Sequence, residues 1–493
     1  MGLFITLLFL QGCFAGSSMV DRSARYAEVD KAIYSGGFEA GLQQIVYAQG
    51  TNKPIYDQQN AVSLFLDKGL LEHYAGDYTS SSSSLQNAER LIREAYTKSI
   101  SENVSSYLLN DNTKEYPGED FEDIYLNVFN ALNYYHRGNM DGALVEIRKL
   151  TFPTGKLSEL QRKYDDGNER IRASSSSEMS KVESRADASK PIVKNTTFSN
   201  SALARYLSVL FYEAEQNYDA VRIEKDQLLY AYQTQSGIYS NNIPKAIENI
   251  GTERIELGVG SWELGVTHSP LPTPHSPLPT PNSESARLDI ISFTGLSPVK
   301  KEETFTQFFP FFNNPIYWWI ELKLPVLIPR QNRIQRVEIL IGNERFNLEL
   351  IENISAVIED TYNARFTNVF LKTYIRTLSK YIAQDLVSNA VDKKTKDEST
   401  GTQLLALFGK VAAKVAVDAT ERADVRMARY LPDKAYIGNI NLPPGIYDIT
   451  INYYGSGRIL HTEKKQNINV LAGALNLIQS VCLDISITEE QKK

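Results

Sequence analysis

An α+β fold is predicted, with an α-helical repeat domain over residues 20–250 followed by a β-rich domain over residues 287–487 that carries an inserted helical hairpin. Three observations predict it. Amphipathic helix pairs joined by small-residue turns recur through the first half, and a duplicated proline-rich run, HSPLPTPHSPLPTP, interrupts the chain. Beyond that run the apolar period shifts from about 3.6 to about 2. The 493 residues suffice for two or three domains, and 42% hydrophobic with 23% charged residues permits a large core.

The clearest helix pair is FEDIYLNVFNALNYYHRGNMDGALVEIRKL. It sets Phe121, Ile124, Tyr125, Val128, Leu132 and Tyr135 at helical spacing. A turn at Arg137-Gly138-Asn139 follows, then Met140, Ala143, Leu144 and Ile147 on one face of a second helix. Helix, small-residue turn and second amphipathic helix is the unit of tetratricopeptide-like repeats. Similar corners recur at Tyr34-Ser35-Gly36-Gly37-Phe38, Tyr74-Ala75-Gly76-Asp77-Tyr78 and Tyr212-Glu213-Ala214-Glu215-Gln216-Asn217-Tyr218. Phe38, Tyr78, Met140 and Tyr218 are unevenly spaced, which predicts divergent repeats with long insertions. One insertion is the Ser-rich, polar stretch near residues 173–198.

Residues 252–286 read as a linker between two separately folded units, because the alternating prolines remove backbone donors and favour an extended path. His268 and His275 belong to the duplicated spacer. From Ala286 strands are expected at 288–293, 320–324, 336–341, 346–350, 435–442 and 445–453, with a final strand pair over Gln466 to Ile487. Helices at about 353–391 and 402–424 interrupt them.

At the start of the chain, LFLQGC places Cys13 after a short apolar run. That run is too short to cross a bilayer, which takes about 20 residues, but has the length of a signal-peptide hydrophobic region. Leu10-Gln11-Gly12-Cys13 resembles a bacterial lipobox. Residues 1–12 are therefore expected to be a signal peptide cleaved between Gly12 and Cys13, with lipid on Cys13 as the membrane anchor. The positive residues usual before such a run are absent, which predicts a natural start further upstream. The competing reading is a packed first helix with a buried thiol.

After processing only Cys482 would remain, which leaves no intrachain disulfide and no Cys-rich metal pattern. Residues 1–286 carry 26 basic and 36 acidic side chains, and residues 287–493 carry 26 and 23. An acidic first half suits nucleic acid poorly, since that binding is driven by phosphate neutralisation. Catalytic signatures are lacking: no G-x-S-x-G elbow, H-E-x-x-H pair or phosphate-cradling loop occurs. Glu119-Asp120-Phe121-Glu122-Asp123 opens a helix, where capping explains the acids better than acid–base chemistry. His73 and His136 precede corners, in solvated or capping roles, and His461 falls in a polar hairpin. The stretch FTQFFPFFNNPIYWWI (305–320) is either core filling or an exposed membrane or partner contact.

Residues 118–149, GEDFEDIYLNVFNALNYYHRGNMDGALVEIRK, together with GLSPVKKEE (295–303) and ATERADVRMARYLPDKAYIGNINLPPGIYDI (419–449), resemble a little-characterised family of bacterial lipoproteins with N-terminal tetratricopeptide-like repeats and a β-rich C-terminal domain. The resemblance covers most of residues 20–487 and implies an envelope role without catalytic residues. The resulting expectation is a lipid-anchored protein of the bacterial cell envelope, on the periplasmic or outer-membrane side. It would be a non-catalytic scaffold or adaptor that binds protein partners through its repeats, without cofactor, metal, nucleic acid or small-molecule substrate. An envelope enzyme of unfamiliar type and a surface adhesin are the alternatives.

Overall fold

The computed structural model describes residues 2–101, 114–160, 162, 197–240, 242–251, 285–308, 315, 318–395 and 422–485; of these, side chains are described from Arg25 onward, except 98–101, 307 and parts of 367–395. Almost all of the Ser-rich insertion, the proline-rich linker, part of the aromatic stretch and the second expected helix up to residue 421 lie outside the described residues.

The chain is mixed α and β, helices first. Helix α1 (Gly2–Gln49) breaks at Gly37, whose φ of 80° and ψ of −173° leave the helical path. Sixteen residues of straight helix would span about 24 Å, yet Gln44 donates to the Glu28 carboxylate at 3.2 Å. The chain therefore turns back on itself there. Three further helix hairpins follow: α2 (Ala61–Tyr74) with α3 (Tyr78–Ser101), α4 (Asp120–His136) with α5 (Met140–Thr151), and α6 (Ala202–Ala214) with α7 (Tyr218–Thr234).

These three corners are one device used three times. Gly76, Gly138 and Gln216 have φ of 84°, 71° and 58°. Each donates to the carbonyl three residues back, and the following residue donates to the carbonyl five back. That is the paired bond of a Schellman C-cap. The following Asp77, Asn139 and Asn217 then cap the next helix by accepting from Ser80, Gly142 and Ala220 N–H. A left-handed residue followed by Asp or Asn reverses the chain within three residues.

A short helix α8 (Lys245–Glu248) precedes the strands. These are β1 (Ala286–Thr294), β2 (Val299–Phe308), β3 (Trp319–Ile328), β4 (Arg336–Ile341), β5 (Glu344–Asn347) and β6 (Glu349–Asn353). After helix α9 (Ile354–Thr395) come β7 (Lys434–Leu442), β8 (Gly445–Gly455), β9 (Arg458–Val470) and β10 (Asn476–Cys482). A central sheet runs β10-β1-β7-β6, an outer sheet runs β5-β4-β8-β9, and β2–β3 form a separate two-stranded ribbon.

The central sheet is buried on both faces. Leu288 and Ile290 of β1 meet Val337, Ile339, Ile449, Ile451 and Tyr453 of the outer sheet. Ile291 and Phe293, on the opposite face, join the helical core, with Phe293 and Phe129 of α4 at 5.0 Å between ring centroids. A strand buried on both faces reads as a near-continuous apolar run, which is why LDIISF shows weak alternation.

Several expectations need correction. The halves are not separately folded: Ile291, Phe293, Ile351, Ile354, Val357 and Met427 sit in the same apolar cluster as α2, α4 and α6. The expected strand 346–350 is two strands. It crosses from the outer to the central sheet at Leu348, whose N–H donates to the Val337 carbonyl at 2.9 Å. The last two strands do not pair with each other; β9 lies beside β8, and β10 runs parallel to β1. Residues 422–424, expected to be helical, are not. There Glu302 accepts from the Ala423 N–H at 2.7 Å and pairs with Arg422.

Candidate functional site: a helical cradle around residues 422–433

Arg422 to Asp433 cross the helical hairpins as a non-helical segment held by buried acids. Asp67 of α2 accepts from the N–H groups of Arg429 (2.6 Å) and Tyr430 (3.2 Å), and from the Tyr56 hydroxyl at 2.7 Å. Glu122 of α4 accepts from the Ala428 N–H, the Glu119 N–H (2.7 Å) and the Tyr116 hydroxyl (2.8 Å). Burial pushes the Asp67 carboxyl up to about 6 against these bonds. It pushes Glu122 up to about 7, with the Glu119 charge adding to the rise.

Side chains of the segment reach back. The Arg426 guanidinium donates to the carbonyls of Gln59 (3.1 Å) and Lys114 (2.7 Å) and lies over the Tyr116 ring. The Tyr430 hydroxyl donates to Asp30 at 3.0 Å, and Tyr74 donates to the Tyr430 carbonyl at 2.9 Å. Glu119 is shared by Lys300 of β2 and Arg365 of α9. The acid cluster 119–123 does cap α4, since Glu119 and Glu122 form a capping box. Its two glutamates also fasten the β-rich half to the helices, a role invisible in the local pattern.

Two more buried acids fasten the opposite end. Glu352 of β6 accepts from Tyr125 (2.5 Å), Tyr239 (2.8 Å) and Ser201 (2.9 Å) hydroxyls and from the Leu203 N–H at 3.1 Å. Asp289 of β1 pairs with Arg287 at 2.9 Å and accepts from Tyr206. Burial raises both carboxyls. Buried polar groups of this kind are stable only when their bonds are complete.

His73 and His136 are not solvated caps. His73 is 2% exposed. Its Nδ1–H donates to Asn133 Oδ1 at 2.6 Å, and its Nε2 accepts from Gln479 of β10 at 2.6 Å. His136 stacks on Tyr78 at 4.5 Å. Burial pulls both imidazoles down to about 4, so they are neutral near pH 7. His461 lies on β9 beside Tyr453, its ring centroid 5.8 Å away. Gly12 and Cys13 fall within α1, in the part whose side chains are not described.

A cleft of about 430 Å³ between α8 and the sheets is lined by Lys245, Asn249, Arg345, Glu349 and Asn439. Its polar groups fasten α8 to the sheet: the Lys245 N–H donates to Glu349 at 2.6 Å, and Asn439 donates to the Ala246 carbonyl at 3.0 Å. Among the described residues no group of three or more His, Cys, Asp or Glu could hold a metal, and no helix is long and apolar enough to cross a membrane. Comparison of the chain with models of known protein families, with curated proteins and with solved structures finds no match.

Proposed function

We propose that the protein is a lipid-anchored component of the bacterial cell envelope that acts as a non-catalytic scaffold or adaptor for protein partners. In this reading the four helix hairpins are divergent tetratricopeptide-like repeats, and the chain's own residues 422–433 lie against the first three of them. Two of the three stretches that carry the family resemblance, 118–149 and 419–449, contribute to that contact. A partner would then use the outer helices.

One observation carries the reading. The second helix of every hairpin leaves large apolar side chains exposed: Tyr47 of α1, Tyr96 of α3, Val145 and Phe152 on and just after α5, and Ile223 and Tyr230 of α7. Val145 and Phe152 have the same offsets from Met140 that Ile223 and Tyr230 have from Tyr218. Seven residues apart on a helix is one face, so two hairpins present matched apolar pairs. The acidic surplus of the first half contributes less than its count suggests. Asp67, Glu72, Glu119, Glu122, Glu146 and Glu224 are buried, so they steer a basic partner weakly.

A photo-crosslinking residue placed at 152 or at 230 in intact cells should trap the same envelope protein. The combined V145S, F152S, I223S and Y230S exchanges should abolish its co-purification. Absence of any shared adduct would remove the basis for the scaffold reading. The anchor is tested separately: Cys13→Ala, expressed from its natural start, should leave the detergent phase, because a soluble body needs a multiply acylated cysteine to stay there.

A further inference from the structure

The ends of two helices meet at one edge of the central sheet. His73 is the next-to-last residue of α2 and His136 the last of α4, and their rings lie 6.5 Å apart. β10 covers them. It is the end strand of its sheet, paired with β1 alone among the described strands, over seven residues. Its other edge is capped by Tyr135 of α4, whose hydroxyl accepts from the Leu477 N–H at 2.9 Å and donates to the Leu475 carbonyl at 3.1 Å. Gln479 of β10 completes the junction by donating to His73.

The junction is built for neutral rings. Asn133 and Gln479 give His73 hydrogen bonds and no charge. His136 Nε2 is buried without a hydrogen-bond partner among the described residues, and its ring stacks on Tyr78 of α3. Tyr74, Tyr78 and Tyr135 beside the pair stay protonated, because burial raises all three phenols. Ionised groups come from β9. Lys465 opposes a charge on His136, and Glu463, which faces Tyr78, is tied to Lys465 at 2.8 Å. No carboxylate among the described residues offsets a charge on either ring. Protonating both therefore sets two cations side by side and near Lys465, in a buried place where repulsion is weakly screened.

We propose that this pair is an acid-sensitive latch: protonation of His73 and His136 frees β10 from the helix ends while the rest of the fold stays closed. The opening is local because β10 is held by a single ladder, and an end strand with few anchors opens at lower cost than the core. Burial holds each ring at about 4 while the junction is closed, and exposure returns it to about 6.5. The open form therefore gains on the closed one as pH falls below about 6.5. Between pH 7.5 and pH 5.5 each ring shifts the balance about tenfold, and the two together about a hundredfold.

The test is amide hydrogen exchange of the full chain at these two pH values, corrected for the intrinsic pH dependence of exchange. Protection of the β10 amides should fall about a hundredfold at the lower pH, while protection of β4 in the outer sheet holds. The double exchange His73→Gln with His136→Gln should remove the fall at β10, with circular dichroism checking the fold. Lys465→Gln leaves both histidines in place and relieves the repulsion on His136, so it should shrink the fall. That variant decides the matter if the double exchange does not fold. Equal loss of protection in β4 and β10 overturns the proposal, because the opening is then global. Constant β10 protection overturns it as well. So does a fall that survives the double exchange, or one as large in Lys465→Gln as in wild type.

Discussion

Asp67→Asn isolates the electrostatics of the cradle. The carboxylate is fully buried and accepts three bonds, two from backbone N–H groups and one from a hydroxyl. Asparagine keeps one oxygen for the N–H groups of Arg429 and Tyr430, and the Tyr56 hydroxyl can accept from the new amide. What disappears is the buried charge. Burial raises the Asp67 carboxyl from 3.8 to about 6, so the folded protein binds this proton more tightly than the unfolded chain. Its stabilising contribution is present below pH 4 and is lost as pH rises through about 6. The full difference is on the order of 3 kcal/mol, of which about 1.4 kcal/mol falls between pH 5 and pH 8. Urea unfolding of wild type and variant at these two pH values should therefore show the variant gaining about 1.4 kcal/mol relative to wild type at the higher pH. Asp67→Ala, which leaves three donors without partners, should cost about 3–6 kcal/mol at both. An equal effect of Asp67→Asn at pH 5 and pH 8 would refute a desolvated charge at this position.

The imidazoles titrate with the opposite sign. His73 and His136 stay neutral in the fold down to about 4, so the unfolded chain takes up their protons first and stability falls as pH drops from about 6.5. His73→Gln should flatten that acid limb in a thermal melt series, and an unchanged limb would place its cause elsewhere. For the linker, brief proteolysis within residues 266–284 should yield two fragments that co-elute as one species on gel filtration, because they share a core. Separation without denaturant would contradict the shared cluster.

Local chemistry was legible in the sequence. Three corners lie where Gly76, Gly138 and Gln216 place them, because a left-handed residue followed by an Asp or Asn cap acts within a few residues whatever surrounds it, and the fourth turns at Gly37. The strand periods of β3, β4 and β8 and the helix after β6 were readable for the same reason. A strand faces two environments and a helix repeats about every 3.6 residues.

Contacts between distant residues were decided by the tertiary structure alone. Nothing near Glu122 announces that it accepts from Ala428, and nothing near Glu352 announces Tyr125, Ser201, Leu203 and Tyr239. Pattern reading assigns an acid at a helix start to capping, and Glu119 and Glu122 do cap. Only packing shows that the same carboxylates also face another part of the chain. The misread histidines follow the same logic: a corner is solvated unless another layer covers it, and here β10 does so through Gln479. The split at Leu348 likewise needed two sheets to exist before one strand could cross between them. Periodicity records which side of an element is buried. Which partner buries it depends on loop closure across hundreds of residues, and this chain carries no short-range signal for that.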